Sequence, residues 1–296
     1  MRKQGQNLRI LMFDTTANKY KVIGMATNCT INLNTNQEDS TTKDDIGLAA
    51  MPTIASKSWS VQVDSLNVVD AATILSVAKN MTKITLMWDK VATTDNQTPT
   101  GAAYARGGQA YISDLTLTFN DRENSAKNIT FTGTGALATV SSPSTASVSA
   151  GAYTKGQFVR LVVMDTSTPT VIAAAKELSL HVSLTLEDST TKDTTGDWQV
   201  QEPTAINYDI STNALVESGE TITSLVDGYG LSDLMTLYEA GQPFGWEIAN
   251  TSGDNNRTIG TVIAQGNALL TTLTVNAPNR QAASYTAQLT GYGPLE

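Results

Sequence analysis

One seven-residue segment occurs twice in this sequence. Residues 38–44, with the sequence EDSTTKD, return unchanged as residues 187–193, at an offset of 149 (187 − 38) in a chain of 296 residues. Because this offset is close to half the chain length, the repeat indicates an internal duplication. Two similar halves fold in similar ways, so the chain is restricted to architectures that use one domain twice.

The residues that flank the repeated segment agree in the same order. At the offset of 149, Trp59 corresponds to Tyr208. Towards the end of each half an offset of 158 (246 − 88) relates Trp88 to Trp246. Further pairs at that offset are Leu115 with Leu273, Leu117 with Val275, Gly133 with Gly291 and Gly135 with Gly293. The change of offset predicts nine additional residues (158 − 149) in the second half, between position 215 and Trp246.

The duplication predicts two tandem domains, residues 1–140 and residues 156–296. The segment between them, residues 141–155, is rich in Ser, Thr and Ala and contains Pro143, a composition typical of linkers. A chain of this length has room for two domains of ordinary size. Residues at the same place in the two halves are called equivalent below.

Alternation of apolar and polar residues dominates both halves and predicts β-strands. In the second half, apolar residues occupy every other position from Leu178 to Leu186. The equivalent positions in the first half hold Cys29, Ile31 and Leu33. Strands of this kind bury one face and leave the other polar, as in antiparallel sheets. We therefore predict a mainly β protein.

Each half also contains one predicted helix, between corresponding strands. In the second half we expect Ser232 to cap the start of the helix and Gly241 to end it. In the first half Asp70 is the expected cap, and the helix ends near Asn80. The apolar faces are formed by Ile74, Leu75 and Ala78 in the first helix and by Leu234, Leu237 and Tyr238 in the second.

The charge of the chain argues against tight binding of nucleic acid. The net charge is −9 and only 16% of the residues are charged. Residues 1–148 carry 13 basic and 12 acidic residues (+1), whereas residues 149–296 carry 6 and 16 (−10). A nucleic-acid binder needs a basic surface. An acidic surface past which nucleic acid moves without adhering agrees with this balance, and we expect the second half to supply most of its acidity.

The sequence offers no set of residues for catalysis, and we predict no enzyme, no metal and no cofactor. The chain contains one His and one Cys. His181 is equivalent to Asn32, and Cys29 is equivalent to Leu178, so neither side chain is retained in the other half. A structural zinc site needs about four such ligands. We expect His181 on the polar face of a strand and Cys29 as a small apolar residue of the core.

The repeated glycines and carboxylates also have structural interpretations. Gly133 and Gly135 lack the third glycine and the following helix of a phosphate-binding loop, so a turn or bulge is expected there. The neighbouring carboxylates at residues 38–39 and 187–188 point to opposite faces of an extended chain and do not form an acid pair. They begin long polar loops, residues 37–56 and 187–204, and loops of this length are usually functional.

The order of elements within each half resembles that of a known family. A short apolar strand, a Val-Ile strand and an alternating strand precede the polar loop with Thr41-Thr42-Lys43-Asp44. An aromatic strand, a helix, a Trp-bearing strand and a hairpin ending in Thr-Gly-x-Gly follow. This order resembles the major tail tube proteins of long-tailed bacteriophages, most closely from Cys29 to Leu66. The resemblance implies two tandem β-sandwich or barrel-like tail-tube domains, each with one flanking α-helix.

The resemblance also implies a structural function. Subunits of that family close into rings that stack into a hollow tube, and a long loop of each subunit reaches the neighbouring ring. Here that role falls on the two polar loops. The residues expected to make inter-ring or inter-subunit contacts are Glu38, Asp39, Thr41, Thr42, Lys43, Asp44, Glu187, Asp188, Thr190, Thr191, Lys192 and Asp193. The family commonly has one tube domain per chain and six chains per ring, so two fused domains imply a homotrimeric, pseudo-sixfold ring.

The expected partners follow from the resemblance. They are further copies of the chain, other tail proteins such as the tape measure and the tail terminator, and DNA that passes through the channel without sequence-specific binding. No stretch has the length and apolarity of a signal peptide or a membrane helix, so we expect assembly in the host bacterial cytoplasm and a place in the virion tail. A tandem carbohydrate-binding or adhesin module is the alternative, and a tail terminator or a related injection-machine tube would share the fold.

Overall fold

The computed structural model describes residues 5–14, 18–44, 50–66, 71–95, 98–140, 154–164, 169–194, 196–216, 228–252 and 258–296. In the first half the elements are β1 (Leu8–Asp14), β2 (Lys19–Val22), β3 (Ala26–Asp39), β4 (Pro52–Ser65), α1 (Ala71–Lys79), β5 (Ile84–Lys90), β6 (Arg106–Asn120) and β7 (Ala126–Thr139). In the second half they are β8 (Val159–Met164), β9 (Thr170–Val171), β10 (Ala175–Asp188), β11 (Gln201–Leu215), α2 (Leu231–Ala240), β12 (Phe244–Ser252), β13 (Thr258–Asn276) and β14 (Ser284–Leu295). Short 3-10 turns, Gly5–Asn7 and Gly156–Phe158, precede β1 and β8.

The two halves repeat the same order of elements and some unusual backbone geometry. Four pairs of residues at corresponding places have positive φ: Met25 and Ala174 (53° and 49°), Met81 and Gly241 (50° and 60°), Arg122 and Arg280 (61° and 60°), and Gly135 and Gly293 (76° and 77°). Positive φ is uncommon outside glycine, so its recurrence at equivalent places extends the sequence repeat to local structure. The domain boundaries at residues 140 and 156 stay a prediction.

Eight strands form one continuous antiparallel sheet, which we call the main sheet. Its order is β3-β4-β7-β6-β10-β11-β14-β13, so each half contributes four strands in the same relative order. The early part of β6 pairs with β5, which continues to β1 and β2. In the same way the early part of β13 pairs with β12, which continues to β8 and β9. The prediction of a mainly β fold is confirmed.

The core is formed by the apolar faces of these strands and by the two helices. Trp59 packs edge-on against Trp88 with ring centroids 6.0 Å apart, and the equivalent rings of Tyr208 and Trp246 are 5.8 Å apart. Such aromatic contacts contribute beyond the area that they bury. Cys29 is half-buried against this core. Burial raises the pKa of its thiol, while the charge of Arg9 acts in the opposite direction. Cys29 thus packs at the margin of the core and not within it, where the sequence predicted it.

The helices differ from the prediction at two points. Residues Ile74, Leu75 and Ala78 of α1 are buried as expected, while Asp70 lies outside the described residues. In α2 the cap is Gly230 and not Ser232, because Gly230 has an extended backbone and its N–H donates to the Asp233 carboxylate at 2.9 Å. Leu234 and Leu237 are buried, and Gly241 ends the helix with φ of 60°. Tyr238, in contrast, is exposed. Within the described ranges no helix combines the length and apolarity needed to cross a membrane.

Candidate assembly interface

The two halves of the chain are joined by direct pairing of two strands. Residues 114–120 of β6 pair antiparallel with residues 177–183 of β10, with Leu117 opposite Leu180 and Leu115 opposite Val182. All four side chains are buried in the core. The edge of a sheet leaves backbone N–H and C=O groups unpaired. The junction satisfies these groups by pairing β10, the first long strand of the second half, with β6 of the first half.

The single histidine lies at this junction. His181 Nε2 is 2.7 Å from Asp114 Oδ2, so the pair bridges β10 and β6. Both side chains are about 40% exposed (40% and 39%) on the polar face of the sheet. A partly exposed pair of this kind contributes about 0–1 kcal/mol. The predicted position of His181 on a polar face is confirmed, and Asp114 was not recognised as its partner from the sequence.

A second contact between the halves is made by the end of the polar loop in the second half. The backbone N–H of Lys57 donates to the carbonyl of Asp197 at 2.6 Å, and the N–H of Gln199 donates back to Lys57 at 2.9 Å. The N–H of Gly135 donates to the carbonyl of Gln199 at 2.8 Å. Lys57 Nζ also lies 3.0 Å from Asp197 Oδ2 and 5.9 Å from the centre of the Trp198 ring. Residues 197–201 are therefore docked on β4 and β7 of the first half.

Two further contacts complete the junction. The N–H of Gly156 donates to Glu123 at 3.0 Å, and a Cβ at position 156 would lie 2.2 Å from the carbonyl oxygen of Asn120. Only glycine therefore allows the start of the second half to approach the turn that follows β6. Separately, α1 lies against the early part of β13, where Leu75 and Val262 line a shared cleft. The contacts between the halves thus involve strands, loop, turn and helix.

The twelve loop residues predicted to make contacts are exposed in both halves. Asp39 Oδ1 accepts a hydrogen bond from the N–H of Thr41 at 2.9 Å and another from its hydroxyl. The N–H of Met51 then donates to the Thr41 hydroxyl oxygen at 2.9 Å. The hydrogen bond from the Thr41 hydroxyl and, to a smaller extent, that from the Thr41 N–H hold the pKa of Asp39 below its usual value. The same bonds recur in the second half at the equivalent residues Asp188, Thr190 and Val200.

The loop residues that join the halves, 197–201, follow the predicted set and were missed from the sequence. Trp198 offered a signal, since it is an aromatic residue in a polar loop and its equivalent is Ala49. The inter-ring or inter-subunit role of the twelve predicted residues stays a prediction.

The polar face of the main sheet carries mostly Ser, Thr, Asn and Gln. In the central part of the described strands, its charged side chains are Asp64 and Asp114 from the first half and His181 and Asp209 from the second. Asp64 accepts hydrogen bonds from Asn28 and Asn128. Over the part of the chain that the structure describes, no group of three or more His, Cys, Asp or Glu residues could hold a metal ion. The additional acidity of the second half does not lie in this central part.

Comparison with known proteins found one family model and several solved structures that are similar to parts of the chain. The family model described as phage tail tube protein matches residues 3–139. Two similar structures come from a gene transfer agent. A chain of the native virion is 14% identical, with 48% of this chain and 96% of that chain covered and a TM-score of 0.36. A chain from the tail of an empty particle with C6 symmetry is 16% identical, with 46% of this chain and 93% of that chain covered and a TM-score of 0.34. A third is the SPP1 tail tube (12% identity, 47% of this chain and 76% of that chain, TM-score 0.36). None of the curated proteins matches the chain.

The antiparallel sheet defines a mainly β protein. Residues 3–139, which are just under half of the chain, are similar to the phage tail tube protein family, the family that the order of the sequence motifs resembles.

Proposed function

We propose that three copies of this chain form a pseudo-sixfold ring, and that such rings stack into the tube of a phage tail. The observation that carries the proposal is the pairing of β6 with β10. Within the chain, β10 of the second half pairs with β6 of the first half, and this junction occurs once. The same junction between chains would place six similar repeats around a ring.

The edges of the main sheet support closure of the ring. Among the described residues, β3 at one end pairs only with β4, and the late part of β13 at the other end pairs only with β14. Open edges of this length favour pairing with another chain. Three sheets of eight strands would close into a barrel of 24 strands (3 × 8) in which neither edge is left free.

We further propose that the polar face of the main sheet lines the channel. Its uncharged side chains and its few carboxylates offer no array of cations for the phosphates of DNA, so DNA would pass without adhering. In the central part of this face the first half supplies two carboxylates, Asp64 and Asp114, and the second half supplies Asp209. The larger acidity of the second half would then lie outside this central part, contrary to the expectation from the charge count.

Contacts between stacked rings are assigned to the exposed turns at Asp39 and Asp188, which have the same hydrogen bonds in both halves. The proposed partners at the tube ends are the tape measure and the tail terminator, and assembly takes place in the host cytoplasm. An adhesin would need a concave patch of aromatic residues. Among the described residues the exposed tyrosines instead lie on different elements, Tyr104 before β6, Tyr238 in α2 and Tyr292 in β14.

Native mass spectrometry of the purified chain tests the stoichiometry. The proposal predicts a ring with three times the chain mass of 31.4 kDa. A ring of six chains would refute the trimer but would agree with a tube function. A chain that stays monomeric at all concentrations and shows no tubes by electron microscopy would refute the tube function.

A further inference from the structure

We infer that each chain binds the next copy through the same set of contacts that joins its own two halves, made by equivalent residues. The inference rests on the proposed ring and names its interface. The donor side is the late part of β13 with the turn that follows it, α2 and the end of β14. The acceptor side, on a second copy of the chain, is β3, the 3-10 turn Gly5–Asn7, the start of β6 and the end of the first polar loop.

The strand edges supply the first observation. Val182 of β10 is 3% exposed because β6 covers it, whereas its equivalent Leu33 on β3 is 61% exposed. Leu117 of β6 is fully buried (0%), whereas its equivalent Val275 on β13 is 48% exposed. These two apolar side chains are exposed because each lacks the strand that covers its equivalent. If β3 pairs with β13 of the neighbouring chain in the register of β10 and β6, Leu33 lies opposite Leu273 and Ile31 lies opposite Val275.

An open cleft supplies the second observation. Gly5-Gln6 matches Gly156-Gln157 at an offset of 151 (156 − 5), which also relates Arg9 to Arg160. Gly156 is pressed against Asn120, but a Cβ at Gly5 would meet nothing within 4 Å. Beside Gly5 lies a cleft of about 380 Å³, lined by residues that include Leu8, Thr27 and Cys29.

The turn that follows β13 fits this cleft by equivalence. Asn120 is equivalent to Pro278, and Asp121 is equivalent to Asn279. The N–H of Asp121 donates to the carbonyl of Lys176 at 2.8 Å. In the neighbouring chain the N–H of Asn279 would donate to the carbonyl of Thr27, which lines the cleft. Pro278 would then approach Gly5 as Asn120 approaches Gly156.

The second helix supplies the third observation. The positive φ at Met81 and Gly241 aligns the helices at an offset of 160 (241 − 81), which makes Leu75 equivalent to Met235 and Ala78 to Tyr238. Leu75 is 2% exposed beside β13, but Met235 is 49% exposed. Tyr238 is exposed as well. The equivalent of Val262 is Tyr104, also exposed, so α2 would pack on Tyr104 at the start of β6 in the neighbouring chain.

The loop contact supplies the fourth observation. Gln199, which accepts the hydrogen bond from Gly135, is equivalent to Ala50, and Gly135 is equivalent to Gly293. Ala50 and Met51 are exposed, and so is Tyr292 beside Gly293. The carbonyl of Ala50 would accept from the N–H of Gly293 in the neighbouring chain. Tyr292 would then be covered, as its equivalent Thr134 is covered by Gln201.

The two kinds of junction differ in polarity. The His181–Asp114 pair has no counterpart between chains, because the equivalent residues are Asn32 and Thr272. The two hydrogen bonds between Thr134 and Gln201 are not repeated either, because Tyr292 has no hydroxyl at the place of Thr134 Oγ1 and Pro52 has no N–H to donate. Their places are taken by apolar contacts of Tyr292 and Met51. The junction between chains is therefore more apolar than the junction within a chain.

The substitution Gly5→Val tests the cleft. A Cβ at Gly5 would meet nothing within 4 Å in the free chain, so the thermal midpoint and circular dichroism of the monomer should match those of the wild type. In the ring it would meet the turn of the neighbour, so rings should be lost in native mass spectrometry. Asn207→Val, at an exposed position on an interior strand, is the control that keeps rings. Rings that persist in Gly5→Val would overturn the assignment of the cleft.

Disulfide formation tests the register independently of any change in assembly. The double variant Leu33→Cys with Leu273→Cys should give chains linked up to a covalent trimer on a non-reducing gel, since directly opposite residues in a sheet are within disulfide reach. Asn28→Cys with Thr272→Cys is the control, because these positions lie at opposite ends of the paired segment. Rings without the first crosslink would overturn the interface and leave the ring intact. Absence of rings in the wild type would overturn the proposed function instead.

Discussion

The indole ring of Trp59 covers the backbone of Gly133 so closely that a Cβ at position 133 would lie 2.1 Å from the ring. Tyr208 covers Gly291 in the same way, at 2.5 Å. Trp59 is buried, and its Nε1–H donates to the carbonyl of Gly135 at 3.1 Å. The repeated glycines therefore have two functions, because Gly133 makes room for a ring and Gly135 adopts positive φ.

The first prediction separates these two functions. Gly133→Ala should lower the free energy of unfolding by about 2–3 kcal/mol, because the buried ring cannot move without disturbing the core. Gly135→Ala should cost only about 1–2 kcal/mol, because nothing lies near its Cβ and only the left-handed backbone opposes a side chain. Urea unfolding of both variants measures the difference. A larger loss for Gly135→Ala would contradict this explanation.

The second prediction concerns the turn at Asp39. Thr41→Val removes the hydroxyl that donates to Asp39 Oδ1 and leaves the backbone N–H. The pKa of Asp39 should therefore rise towards its ordinary value, as followed by NMR titration of the carboxyl group. Because the folded pKa is the lower one, these hydrogen bonds stabilise the turn above the unfolded pKa, and the stabilisation is lost as pH falls through the folded pKa. An unchanged pKa in the variant would show that the hydroxyl is not the main cause.

The third prediction concerns the pair at the junction of the halves. His181→Asn should lower the free energy of unfolding by less than about 1 kcal/mol, because both members of the pair are partly exposed. The backbone pairing of β6 with β10 remains, so rings should form as in the wild type. Unfolding of both proteins in urea gives the comparison. A loss well above that size would mean that the histidine is needed for the junction itself.

The fourth prediction concerns the loop that docks on the first half. Trp198→Ala should speed hydrogen exchange at the amide of Gly135 by about tenfold or more, because that amide donates to Gln199 in the same docked segment. Lys57→Met, the matched control, removes a partly exposed ion pair with Asp197 and a cation–π contact with Trp198 but leaves the ring in place, and it should have a smaller effect. Equal exchange in the wild type and Trp198→Ala would show that the tryptophan does not hold the loop.

The sequence predicted the parts of the fold that depend on local patterns. Alternating residues such as those from Leu178 to Leu186 gave the strands, and the repeat of EDSTTKD gave the order of the second half. The start of α2 was wrong because the side chain of Asp233 reaches back to Gly230, a contact that the motif at Ser232 does not reveal. The pairing of β6 with β10 joins positions about 60 residues apart, and no local pattern specifies it. The prediction that Tyr238 lies on the buried face of α2 was wrong, because the pattern of a helix does not show which part of its apolar face a neighbouring element covers.

Electron cryomicroscopy of assembled tubes tests the central claim most directly. The account predicts rings of three chains, in which alternate repeats differ and the inner wall is a barrel of 24 strands, with β13 of each chain paired to β3 of the next. Rings of six chains, with only one half of each chain lining the channel, would contradict it.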